Sequence, residues 1–191
     1  KYGYDGFDLD AEPSYAQPFQ TDKELWQNAK VMEAFVKTMG KRIGPKSGTD
    51  KMFVIDGEPD AMAAQYGEYF NYFILQAYSS SGNSDLNSRF TAQATHFQQY
   101  LTPEQVANKL IVCENFENYA GKGGVNFRLD NGQTLPSLLG MAYWNPVYNG
   151  VTYRKGGVGT YHMEYEYTVS GQTGNYPFLR KAIQIMNPSI Q

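Results

Sequence analysis

Three carboxyl groups recur at alternate positions near the start of the chain, Asp8, Asp10 and Glu12, within Gly6-Phe7-Asp8-Leu9-Asp10-Ala11-Glu12-Pro13. In a β-strand that spacing puts all three in one row on one face, while Asp5 has the opposite parity. Crowding three carboxyl groups costs charge repulsion and desolvation, and such a row is kept where the shifted pKa values are used, so the chemistry it points to is proton transfer. Pro13 cannot continue a ladder and holds the residue before it out of the helical region, which sets Glu12 at the C-terminal end of the strand, opening to a mouth. Two plainer readings use the same residues. A calcium-binding loop needs Gly at its sixth position and Glu at its twelfth, but counting from Asp8 these are Pro13 and Phe19. A solvated edge strand, charges outward and Phe7, Leu9 and Ala11 inward, explains the alternation as well.

Further along, Thr21-Asp22-Lys23-Glu24 reads as a capping box opening a helix that carries Leu25, Ala29, Met32, Val36 and Met39 on one face and ends at Gly40 and Gly44. Met52–Ile55 is apolar throughout and suits a strand covered on both sides. Asp56 and Glu58 follow, either lining the same mouth or forming a polar turn with Gly57 and Pro59. After a short helix around Asp60 to Glu68 comes the strand Tyr72–Ala77, with Gln76 and Tyr78 on one face. The stretch Leu86 to Tyr100 suits a helix with His96 at its surface, and Thr102-Pro103-Glu104-Gln105 caps a second, short one. The strand Leu110–Cys113 ends in Glu114 and Asn115. Gly121 to Gly124 is a loop, and Pro136 to Tyr143 a helix. Gly157–Met163 forms the last strand, with either Tyr161, Met163 and Tyr165 or His162 and Glu164 turned inward. Pro177 starts a closing helix that buries Leu179, Ala182, Ile183 and Met186. Strand and helix thus alternate five times with buried apolar strands, the pattern of a parallel α/β sheet whose site lies at the strands' C-terminal ends.

With 191 residues, 41% hydrophobic and 18% charged, the chain can bury the core of one domain, residues 1–191. A net charge of −3 gives no electrostatic footprint for nucleic acid or an anionic membrane. Sixteen Tyr, eleven Phe and two Trp suit rings that stack on sugars, and equally an aromatic core. Cys113 is the single cysteine, which excludes an internal disulfide and reads as a small buried hydrophobe. His96 has no second His or Cys at a metal-binding spacing, and no metal or other cofactor is expected. There is no run of eighteen apolar residues for a transmembrane helix, and no signal peptide is visible at the start of this sequence.

Asp5-Gly6-x-Asp8-x-Asp10-x-Glu12 resembles the DGxDxDxE signature of family 18 glycoside hydrolases, with every acidic position filled. The stretch GFDLDAEP is similar to the branch that holds bacterial endo-β-N-acetylglucosaminidases. The resemblance implies a TIM (β/α)8 barrel in which the acidic strand is the fourth, so this chain would hold units four to eight, and roughly 100 residues of a barrel of about 250 would lie upstream. It implies Glu12 as general acid, Asp10 as the partner of a substrate acetamido group and Asp8 as support for Asp10, with the substrate's own acetamido oxygen as nucleophile. Gln76-Ala77-Tyr78 is similar to the family's acetamido-binding pair. Asp56, Glu114, Asn115 and Tyr161 stand at strand ends where they would line the same site. The substrate would be a glycan or glycoprotein met outside the cell or at a bacterial cell surface. A chitinase, or a sugar-binding protein on the same fold, is the alternative; family chitinases commonly carry a Trp on their last strand, and none stands there.

Overall fold

The computed structural model describes residues 3–14, 23–169 and 175–188. These fall into two compact units, residues 1–75 with 92–110, and residues 76–91 with 111–191.

In the first unit β1 (Gly6–Ala11), β2 (Met52–Gly57) and β3 (Tyr72–Gln76) are parallel, with Asp8 beside Val54, Asp10 beside Asp56, and Asp56 beside Ile74. β2 is not covered on both faces as its apolar run suggests. Phe53 and Ile55 are fully buried, whereas Val54 and Asp56 between them are only half-buried. The reason is a stack of rings on one side of the sheet: Phe53 lies 4.3 Å from Phe70, and Phe73 stacks on Phe97 at 4.8 Å. Burying each such ring contributes about 1.5–3 kcal/mol. The Thr21 capping box lies outside the described residues, and the helix expected after it is two, α1 (Lys23–Gln27) and α2 (Ala29–Gly40). Asn28 breaks the helix by capping the second part, its Oδ1 accepting from the backbone N–H groups of Lys30 and Val31. Between β2 and β3 the expected α-helix is replaced by two 3₁₀ turns, Pro59–Ala61 and Ala64–Tyr69. Gly67 packs so tightly there that a Cβ would come within 2.8 Å of the Phe97 ring.

The long α3 (Asn83–Phe97) contributes residues to both units, and α4 (Pro103–Lys109) carries the capping box expected at Thr102 and Gln105. In the second unit β4 (Leu110–Asn115) runs parallel to a later strand, and two hairpins lie between them, β5 (Asn126–Arg128) with β6 (Thr134–Pro136) and β7 (Val147–Tyr148) with β8 (Val151–Thr152). The helix between the hairpins, α5, spans Ser137–Tyr143. The later strand, β9, is Gly157–Tyr161 and sets Cys113 beside Gly159 and Asn115 beside Tyr161. It stops two residues short of its expected end. His162 takes a left-handed conformation, φ 57°, and turns the chain into α6 (Met163–Thr168), so Met163, Glu164 and Tyr165 are helical and have no strand parity. Within β9, Val158 packs on Phe116, Leu138 and Ala182 in the core shared with α7 (Pro177–Met186), which leaves Gly157, Gly159 and Tyr161 on the opposite face. Five parallel strands are thus present among the described residues, three in the first unit and two in the second.

Candidate active site

In the first unit β1 separates its side chains by parity. Phe7 turns towards Phe35 and Phe53, with ring centroids 6.4 and 6.3 Å away, so Asp8 and Asp10 stand on the other face. Parallel register brings Asp56 alongside Asp10 on that face. Asp56 therefore lies in the strand, beside Asp10, and not in a turn. Glu12 follows the fully buried Ala11, is half-buried, and lies close to Gly57, whose Cβ position is 3.1 Å from Glu12 Cγ. Gly57 has φ 105° and a Cβ there would meet the Ala11 carbonyl oxygen at 2.5 Å, so only glycine lets β2 end beside the acid. Glu58 completes this corner. Its backbone N–H donates to the Ala11 carbonyl at 2.7 Å, and its carboxylate accepts from the Ser14 N–H at 3.3 Å, fastening the chain on both sides of Glu12.

The row is less buried than its crowding suggests. Asp8 and Asp10 are exposed, because among the described residues β1 is paired on one side only, with β2. Packing on the inner side of Asp8 still desolvates its carboxyl group, and this, followed by the charge of Asp10, raises it above the usual carboxylate range.

In the second unit the strand ends carry a different chemistry. Gln76 and Tyr78 are half-buried at the end of β3, and Tyr78 stacks with Tyr161 from β9, centroids 6.1 Å apart and planes inclined by 29°. Tyr161 is 49% exposed. The ring series continues through His162, 4.0 Å from Tyr161, to Tyr165, which lies 4.5 Å from the imidazole and is tilted by only 6°. His162 Nδ1 is 2.7 Å from the Glu164 carboxylate, and that hydrogen bond is the main cause holding Glu164 below the usual carboxylate range. Asn115 is half-buried, with its Oδ1 accepting from the Glu117 N–H at 2.7 Å.

Glu114, expected to line the mouth, does not reach it. It is fully buried and its Oε1 accepts from the backbone N–H groups of Ser79 and Asn115 at 3.0 and 2.8 Å, while Oε2 takes the Ser137 hydroxyl. The carboxylate braces the loop after β3 and the start of α5. Strand parity could have warned of this, since Glu114 shares the face of Leu110 and Val112, both fully buried. Ser137 gave no signal in the sequence, because its role exists only once Glu114 is buried. Among the described residues no group of three or more His, Cys, Asp or Glu side chains forms a metal site, and no helix is long and apolar enough to cross a membrane.

A model of the glycoside hydrolase family 18, BT1044-like, matches residues 1–185. The chain belongs to glycoside hydrolase family 18. It is 28% identical to endo-β-N-acetylglucosaminidase F2 of Elizabethkingia meningoseptica over 196 aligned residues, covering 98% of this chain and 52% of that protein. The solved structure of BT1044 is 27% identical with a TM-score of 0.72 over 96% of this chain and 54% of that one. The endo-β-N-acetylglucosaminidase of Cordyceps militaris, at 23% identity, has a TM-score of 0.60 and shares the fold. The chain spans about half the length of each of these proteins. Its five parallel strands are therefore part of a family 18 (β/α)8 barrel.

Proposed function

We propose that this chain forms the catalytic side of an endo-β-N-acetylglucosaminidase that cuts the β-1,4 bond within the di-GlcNAc core of N-linked glycans. The observation that carries the proposal is the row Asp8, Asp10 and Glu12 on one face of β1 in a member of a glycosidase family. Glu12 protonates the departing glycosidic oxygen. The acetamido oxygen of the substrate attacks the anomeric carbon, giving an oxazolinium and needing no enzyme nucleophile. Asp10 accepts a hydrogen bond from the acetamido N–H and stabilises the positive charge as it develops. Asp8, with its raised affinity for a proton, keeps the pair from carrying two charges at close range. Gln76 and Tyr78 hold the acetamido group, and Tyr161 supplies a ring face for the sugar. Glu12 then takes a proton from water, which opens the oxazolinium with retention. Asp56 supports Asp10 from the neighbouring strand, and Asn115 lines the mouth beyond Tyr161. Glu114 is assigned to bracing.

The reading is for a complete barrel, whose closure takes eight strands; the first three come, in this proposal, from chain upstream of Lys1. Secretion or display on a bacterial surface goes with the same substrate. The similarity to endo-β-N-acetylglucosaminidase F2 favours an endo-β-N-acetylglucosaminidase over a chitinase, as does the sequence Gly157-Val158-Gly159-Thr160-Tyr161 of β9, which has no tryptophan to floor a chitin groove. The test is to digest an N-glycosylated protein and chitin oligomers side by side with the protein that carries this chain. Release of intact glycan, leaving one GlcNAc on the protein, is expected; cleavage of chitin alone would make it a chitinase, and binding without cleavage a lectin.

A further inference from the structure

Two cavities of about 600 and 540 Å³ lie against α5 and α7 and share Tyr143 and Ile185 as walls, so together they form one groove with Tyr143 between its halves. Tyr143 is 53% exposed. Volumes of this size suit a bound sugar chain of a few residues. One half has an apolar floor that includes Leu135 and Leu139, and the amides of Asn83, Asn131 and Gln133 stand around it together with the exposed Lys181. Its carboxylate, Asp130, is occupied by Asn83 Nδ2 at 2.8 Å. The other half is lined by Arg154 and Lys155 and by no carboxylate. Lys155 is only 2% exposed and is fixed in place by donating to the Ala142 carbonyl at 2.9 Å and to that of Trp144, at the end of α5. Burial, and then the nearby Arg154 charge, lower its ammonium to about 8. Lys155 thus holds the end of α5, and the exposed Arg154 is the cation of this half that can receive an anionic group. Lys155 also precedes β9 by two residues, at the opposite end of that strand from Tyr161, so the groove is separate from the ring series at the strand's C-terminus.

We infer that this groove binds an acidic oligosaccharide, with a pyranose face on Tyr143, hydroxyls on the amides of Asn131 and Gln133, and a carboxylate-bearing sugar at Arg154. The site would hold part of a glycan away from the reacting bond. Its ligand class follows from combining an exposed ring, planar amides and the exposed cations Arg154 and Lys181; a neutral sugar uses the first two, and the acidic sugar uses all three.

The inference is tested by titrating the protein that carries this chain with sialylated lactose, with lactose, and with an acidic peptide, using ligand-observed NMR. None of these contains the bond that the proposed reaction cleaves, so the outcome is independent of hydrolysis. Sialylated lactose should bind more tightly than lactose. Tyr143→Ala should weaken both by roughly tenfold, whereas Arg154→Gln should reduce the preference for the acidic sugar and leave lactose binding unchanged. Both side chains are exposed, so neither variant disturbs the core. Binding of the peptide with no binding of either sugar would make the groove a polypeptide site, and saccharide affinities unchanged in Tyr143→Ala would overturn the assignment.

Discussion

At the scale of single residues, Asp8 shows how the acidic row burdens the fold. Its carboxyl is held above the ordinary 3.8, by desolvation first and by the charge of Asp10 second. A carboxyl whose folded-state pKa is raised contributes stability that is complete below the ordinary value and is lost as pH rises through the raised one. Asp8→Asn cannot ionise, so it should melt at a higher temperature than the parent at neutral pH, with the difference closing as the pH falls towards 3.8. The same substitution should lower activity, because in the proposed mechanism Asp8 supports Asp10 with an ionisable carboxyl group that an amide does not supply. Thermal melts from pH 3 to 8 decide the first point, and a variant that is no more stable at pH 7 would show that the row carries no strain.

At the scale of elements, a buried acid ties α6 to α7. Tyr176 caps α7 without a side-chain hydrogen bond, and Glu166 from α6 does the work instead, accepting from the N–H groups of Phe178 at 2.5 Å and Leu179 at 3.4 Å. Losing an N-cap costs about 0.5–2 kcal/mol. Glu166→Ala should therefore lower the melting temperature more than Glu166→Gln, which keeps one acceptor oxygen; equal melting of Ala and parent would refute the cap. No reading of α6 by itself could find this, since the helix it caps begins eleven residues later. The five strands and the α4 capping box were legible because each rests on local signals: an apolar run, alternating parity, or Thr-Pro with Gln three positions after the Thr. The two hairpins were passed over although Asn131-Gly132 and Asn149-Gly150 are pairs common in hairpin loops, and Asn149 and Gly150 are both at positive φ. Their strands are only two or three residues long and show no periodicity. Glu114 was misplaced for the opposite reason, as its position at a strand end drew attention and its parity with Leu110 and Val112 did not.

At the scale of the whole molecule, five parallel strands with helices between them match half of a barrel, and the family is established over residues 1–185. Acidic side chains gather in one unit, at Asp8, Asp10, Glu12 and Asp56, and aromatic ones in the other, at Tyr78, Tyr161 and Tyr165. In the proposed mechanism, proton transfer and sugar contact are thus divided between different stretches of the chain. A thiazoline that imitates the oxazolinium should inhibit competitively, since the proposed site is built for that intermediate. Failure of the thiazoline to bind would remove substrate assistance while leaving the family assignment untouched.

The most direct measurement of the central claim is the turnover of a GlcNAc-β1,4-GlcNAc linkage by Glu12→Gln in the protein that carries this chain. The amide keeps the size of the side chain but cannot deliver a proton, so turnover should fall by about 100- to 10,000-fold with substrate binding largely retained. A variant that keeps half of the parent's activity would contradict the account, because the proton would then come from a group other than Glu12.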